Sequence, residues 1–123
     1  METDKLTEKI IKCAMDVHSA LGPGLLENVY KECLYYKLQK TGICVEKEKS
    51  LPVIFEGVEL DCGYRIDLLV ENSIVLELKS VKRFEEIHMA QVLTYLKLGK
   101  YKTGLLINFN VSSLKDGIKR IAK

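Results

Sequence analysis

Three charged side chains stand inside an apolar frame near the middle of the chain. Gly63-Tyr64-Arg65-Ile66-Asp67-Leu68-Leu69-Val70, the polar triplet Glu71-Asn72-Ser73 and Ile74-Val75-Leu76-Glu77-Leu78-Lys79 read as a β-hairpin. A three-residue connection sets Asp67 opposite Glu77 and Arg65 opposite Lys79, with facing side chains about 5 Å apart at Cβ. Two carboxylates at that distance repel. In a half-buried sheet one of them takes up a proton unless a cation lies between them. A hard divalent cation, Mg2+ or Mn2+, suits such oxygen ligands, with the Leu78 carbonyl and water or phosphate oxygens completing its shell. Lys79, two residues beyond Glu77, emerges on the same face and reaches a phosphate or water at that ion. A two-residue turn would instead place Asp67 opposite Leu78 and dissolve the direct pairing. The alternative reading is that Asp67, Glu77 and Lys79 form a solvated hairpin face with an ordinary cross-strand ion pair. Against that stands the setting: Glu77-Leu78-Lys79 is the only acidic-x-Lys triplet of the chain, and it falls on the most apolar strand.

Other polar groups belong to helices. His88, Gln91 and Tyr95 share one stripe, while Met89, Val92, Leu93 and Leu96 occupy the face expected to meet a core. Glu27 falls in a first helical turn, where the helix dipole favours a carboxylate, and Tyr30 shares its face. Lys79, Lys82, Arg83, Lys97, Lys100 and Lys102 form one basic group able to grip phosphates or simply to keep the chain soluble. Lys115, Lys119, Arg120 and Lys123 form another.

The elements that must position these groups follow from periodicity. Thr3 or Asp4 caps a first helix with apolar residues Leu6, Ile10, Ala14, Val17 and Leu21, ending at Gly22-Pro23-Gly24. A second helix starts near Leu25, partly buries Leu26, Val29, Cys33, Leu34 and Leu38, and stops at Thr41-Gly42. Segments 43–49, 51–55, 58–60, 64–70 and 74–78 are short, rich in β-branched and aromatic residues, and separated by turn signals, which makes a strand meander. A helix over 84–98, a strand over 103–108 and a last helix over 113–122 complete the order α-α-β-β-β-β-α-β-α. This is a mixed α/β (α+β) architecture, a mixed β-sheet with helices packed on its faces.

Composition narrows the class. The chain has 123 residues, 47% of them hydrophobic and 29% charged, which matches one globular domain over 1–123 and excludes disordered, collagen-like and membrane-spanning chains. Met1-Glu2-Thr3-Asp4 does not begin a signal peptide, and a cytoplasmic location is expected. Cys13, Cys33, Cys44 and Cys62 are too scattered for a CxxC pair, so they read as reduced apolar residues. A zinc site from them with His18 and His88 lacks any ligand spacing. With 19 Lys+Arg against 17 Asp+Glu, bulk charge does not announce a nucleic-acid binder; only local clusters do.

Gly24-Leu25-Leu26-Glu27-Asn28-Val29-Tyr30 fits a G-x-x-E-x-x-Y signature, and with Gln91-Val92-Leu93-Thr94-Tyr95-Leu96 and Leu106-Ile107-Asn108-Phe109-Asn110 nearly the whole chain resembles the GxxExxY protein family. That family is placed in the PD-(D/E)XK nuclease superfamily, with its restriction endonucleases and Holliday junction resolvases. The resemblance implies a restriction-endonuclease-like core and a metal-dependent nuclease. Glu27 would be the helix-borne acid, Asp67 the central metal ligand, Glu77 and Lys79 the E-x-K pair, and Gln91 the polar helix residue beside the site. Mg2+ or Mn2+ is the implied cofactor. The expected substrate is nucleic acid, DNA ahead of RNA, contacted by Tyr30, Arg65, Tyr95, Lys82 and Arg83, with a homodimer expected by analogy. The alternative is a binding module, for nucleic acid or a protein partner, on a nuclease-like fold.

Overall fold

The computed structural model describes residues 3–123, so the reading of Met1 and Glu2 lies outside the described residues. Helices α1 (Thr3–Leu21) and α2 (Glu27–Lys40) precede β1 (Val45–Phe55), β2 (Val58–Val70) and β3 (Ile74–Lys79). Helix α3 (Glu86–Gly99), β4 (Thr103–Asn108), a 3-10 turn (Leu114–Gly117) and β5 (Ile118–Ala122) follow. The five strands make one sheet in the order β1-β2-β3-β4-β5, antiparallel except for the parallel β3/β4 pair that α3 connects. The mixed sheet flanked by helices is the restriction-endonuclease-like arrangement expected.

Each face of the sheet has its own core. Ile74, Leu76 and Leu78 of β3, with Leu105 and Ile107 of β4, pack under α1 and α2 against Ile10, Leu34 and Leu38. The alternate residues, Val75 and Leu106, pack under α3 against Val92, Tyr95 and Leu96. Period-two alternation therefore places Glu77 and Lys79, in phase with Val75, on the α3 face. Gly104 of β4 lets α3 approach: a Cβ there would run into Val92.

Two features of the expected order are corrected. The meander before α3 contains three strands, because 43–49 with 51–55 and 58–60 with 64–70 each form one long strand. The breaks at Leu51/Val53 and opposite it are irregularities within the β1/β2 ladder. The last segment is not a helix: only Leu114–Gly117 turns, and Ile118–Ala122 pairs with the free edge of β4. A Cβ at Gly117 would collide with the Asn108 carbonyl, so this glycine marks a tight contact between the turn and the end of β4. Ten residues also offer little intrinsic helix stability against an open sheet edge. Leu26, just before α2, is largely exposed, and on α3 Leu93 faces solvent rather than the core.

Candidate active site

The site lies in a fork between β2 and β3. From the Glu71-Asn72-Ser73 turn the two strands pair as Val70↔Ile74, Leu69↔Val75 and Leu68↔Leu76, the register a three-residue connection sets, and there the ladder ends. Beyond it β2 stays with β1 (Ile66↔Lys49), and β3 stays with β4 (Glu77↔Leu106, Lys79↔Asn108). Asp67 and Glu77 fill the opening.

Strand separation orphans backbone amides, and the two carboxylates take them up. The Asp67 amide donates to Glu77 Oε1 at 3.0 Å, and the Leu78 amide donates to Asp67 Oδ2 at 2.9 Å. Each acid thus caps the opposite strand. Burial raises both carboxyls above their ordinary range, and Glu77, only 4% exposed, is pushed up to about 8 by burial and then by the Asp67 charge. The Leu78 amide, Lys31 and Lys79 pull Asp67 back down, so Glu77 holds the proton of the pair. An anionic, oxygen-only donor set that repels itself fits a hard divalent cation such as Mg2+ or Mn2+. Among the described residues no group of three or more His, Cys, Asp or Glu gathers closely enough to hold an ion, so an ion here would have only this pair as carboxylate ligands.

Lys79 shares the face of Glu77, and its charge favours ionisation of both acids. Its strand end is tied down from two sides. The Phe109 amide donates to the Lys79 carbonyl at 2.9 Å, and the Ser80 hydroxyl donates to the Leu25 carbonyl at 2.7 Å. Buried Asn108 accepts from the Val81 amide and donates to the Val81 carbonyl. The chain leaving Lys79 is therefore fixed, as a positioned ammonium requires.

Helix α3 supplies the wall. Gln91 Nε2 donates to the Tyr95 hydroxyl at 2.9 Å, and Tyr95, 3% exposed, packs edge-on against Tyr64 with ring centroids 5.7 Å apart. Burial and then the Glu77 charge raise the Tyr95 phenol, so the ring stays neutral beside the acids.

The other expected site residues are placed differently. Glu27 opens α2 and is exposed, not gathered with Asp67 and Glu77. Tyr30 has no exposed surface. Its ring stacks on Phe109 at 4.4 Å, and its hydroxyl donates to the Gly22 carbonyl and accepts from the Leu25 amide, closing the turn between α1 and α2. The structure thus gives Tyr30 an anchoring position out of a substrate's reach. Arg65 is not opposite Lys79; it pairs with Ser50 of β1, and its guanidinium reaches Asp61 at 3.3 Å. Lys82 and Arg83 are exposed on the loop between β3 and α3, beside a pocket that Val81, Glu85 and His88 also line. Nδ1 of His88 accepts the Glu85 amide and so caps α3.

Sequence reasoning passed over Lys31 and Glu48. Glu48 interrupts the β1/β2 ladder where Asp67 would pair, between Lys47↔Leu68 and Lys49↔Ile66, and its φ of 55° is left-handed. Ile66 and Leu68 have the same parity yet join opposite cores, so β2 turns over at Asp67. Lys31, with a side chain 13% exposed, donates to Glu48 Oε1 at 3.2 Å, and of the two lysines that lower the Asp67 carboxyl it has the larger effect. Nothing in the sequence marked a glutamate for positive φ; Lys31, one turn after Glu27, was the available signal.

A family model described as the PD-(D/E)XK nuclease superfamily matches residues 4–121, and the chain belongs to that superfamily. Comparison with curated proteins and with solved structures finds no match. Among the described residues no helix is long and apolar enough to cross a membrane.

Proposed function

We propose that the protein is a metal-dependent nuclease that hydrolyses phosphodiester bonds, acting on DNA ahead of RNA. The observation that supports this most is the fork, where the β2/β3 ladder ends at Leu68↔Leu76 and two mutually repelling carboxyls lie within the electrostatic influence of Lys79. Asp67 and Glu77 would hold Mg2+ or Mn2+. Such an ion supplies Lewis-acid polarisation of a phosphodiester oxygen and acidifies water.

The chain's own residues do the remaining work. Glu77, kept protonated by burial and then by the Asp67 charge, would give up its proton to serve as a ligand to such an ion. Lys79 orients the attacking water and neutralises charge developing on the phosphate. The Gln91–Tyr95 pair keeps bulk water from the buried side of the acids, and Glu27, exposed at the start of α2, would act only through intervening water. Lys82 and Arg83, at the exit of β3, hold phosphates flanking the scissile one.

The test is cleavage of single-stranded, duplex and branched DNA and of RNA in Mg2+ or Mn2+, by wild type and by Asp67→Asn. Asn keeps an acceptor for the Leu78 amide and removes the charge. Metal-dependent cleavage by wild type and none by Asp67→Asn is expected, along with loss of the rise in melting temperature that Mn2+ gives the wild type. Cleavage that persists in Asp67→Asn would overturn the assignment. Salt-sensitive binding without cleavage of any substrate would identify a binding module instead.

A further inference from the structure

Lys31 is the least exposed cation in any ion pair of the described residues. Its side chain keeps 13% of its surface in water, whereas every other paired lysine or arginine keeps 30% or more. A lysine is drawn from water only where anions hold it. Glu48 alone does not account for this, because its carboxylate is 57% exposed and an ion pair with it could form at the surface. The second anion is Asp67.

The backbone sets these groups at one level. Val45 and Leu51 of β1 have the same parity yet join opposite cores, as Leu68 and Ile66 of β2 do, so both strands turn over. Glu48 and Asp67 occupy the turnover, between the pairs Lys47↔Leu68 and Lys49↔Ile66, and Glu48 has the left-handed φ of 55°. The Glu48 carboxylate meets α2 there, at Lys31. Among the described residues Lys31 makes no ion pair with Asp67; its charge favours the ionised form of that acid through space. Its one hydrogen bond among them goes to Glu48, which leaves two N–H donors of the ammonium unused.

Charge then limits what the fork can hold. Asp67 and Glu77 repel across the β2/β3 opening, and Asp67 and Glu48 would repel in the same way across β1 and β2. The first repulsion is left for a divalent cation, and the second is met by the Lys31 ammonium. With all three acids ionised, three negative charges face the two positive charges of Lys31 and Lys79. Adding one divalent ion leaves a single positive charge. Adding a second would leave three, in a half-buried setting where like charges are costly.

We infer that Lys31 takes the place of a second metal ion beside Asp67, so that the fork holds one divalent cation and not two. The inference rests on the reading of Asp67 and Glu77 as metal ligands and adds a count to it.

The test is Mn2+ uptake by the metal-free full chain, with free Mn2+ counted by electron paramagnetic resonance up to about 1 mM, so that nothing depends on cleavage. Wild type is expected to bind one ion per chain. Lys31→Met, which keeps the aliphatic stem, should bind two, and Lys31→Arg, which keeps the charge, should return to one. Lys31→Met with Glu48→Gln should also return to one, because the acid that serves the second ion is then gone. Circular dichroism checks each fold, and Lys31→Gln carries the same expectation if Lys31→Met does not fold. Two ions in wild type, one ion in both wild type and Lys31→Met, or two in the double variant would overturn the role given to Lys31 and leave the metal reading in place. No uptake by wild type would overturn both.

Discussion

Replacing Glu77 by Gln isolates the electrostatics of the fork. The amide oxygen still accepts the Asp67 N–H, and the new NH2 donates to Asp67, so the contacts survive while the ionisation is lost. In the unfolded chain Glu77 has its ordinary value of 4.5, and in the fold burial and Asp67 push it up to about 8. A raised carboxyl means that the fold binds more protons than the unfolded chain. Its stability is therefore fully present below pH 4.5 and is lost as pH rises through about 8. At 1.36 kcal/mol per pH unit, the loss by pH 7 is about 3 kcal/mol, or roughly 10 °C in melting temperature for a chain of this size. Urea unfolding in chelator from pH 5 to 9 is the assay. Wild type should weaken steadily across that range, whereas Glu77→Gln should be much flatter and more stable than wild type at pH 8. Mn2+ should reverse the wild-type trend, because the ion takes up the deprotonated pair. Matching pH profiles for the two proteins in chelator, or a wild type that gains stability with pH, would refute the reasoning.

Three further outcomes are expected. Lys79→Met, which keeps the aliphatic stem, should retain the Mn2+-induced rise in melting temperature while cleavage falls about 10²- to 10³-fold; a wild-type rate would make Lys79 a surface lysine. Lys31→Met removes the partner of a glutamate held at positive φ, so urea denaturation should show a loss of about 1 kcal/mol that Lys31→Arg recovers; equal stability of all three would dissociate Lys31 from the site. Charge reversal at Lys82 and Arg83 should lower the slope of log affinity against log salt by about 2 for duplex DNA in Ca2+, and an unchanged slope would remove them from the binding surface.

The hairpin was legible because loop length fixes register: three residues at 71–73 imply the facing of Asp67 and Glu77 without knowledge of any other strand. The β4 strand was legible for a related reason, since Leu105-Leu106-Ile107 is an apolar run between polar flanks. What escaped depends on competition between distant segments. The ladder ends at Leu68↔Leu76 because β1 and β4 draw the two strands apart, and a local pattern cannot register that. The segment 113–122 has spacing compatible with a helix, but β4 offers it an edge. Tyr30 shares a helix face with Glu27, which suggests a substrate contact; its distance from Gly22-Pro23-Gly24 is what suits it to close that turn instead.

The exchange of amides across the fork has a consequence for how this chain tolerates change. Asp67 and Glu77 cap backbone groups that would otherwise be buried without partners. Alanine at either position therefore strips an acceptor from an interior N–H and costs about 1–3 kcal/mol before any chemistry is considered. Under the proposed nuclease function, selection for a stable sheet and selection for catalysis would act on the same two side chains. A lineage that had no use for hydrolysis would still be held to Asp or Asn and to Glu or Gln there, so the amide forms are the substitutions that would remove the proposed activity and keep the scaffold.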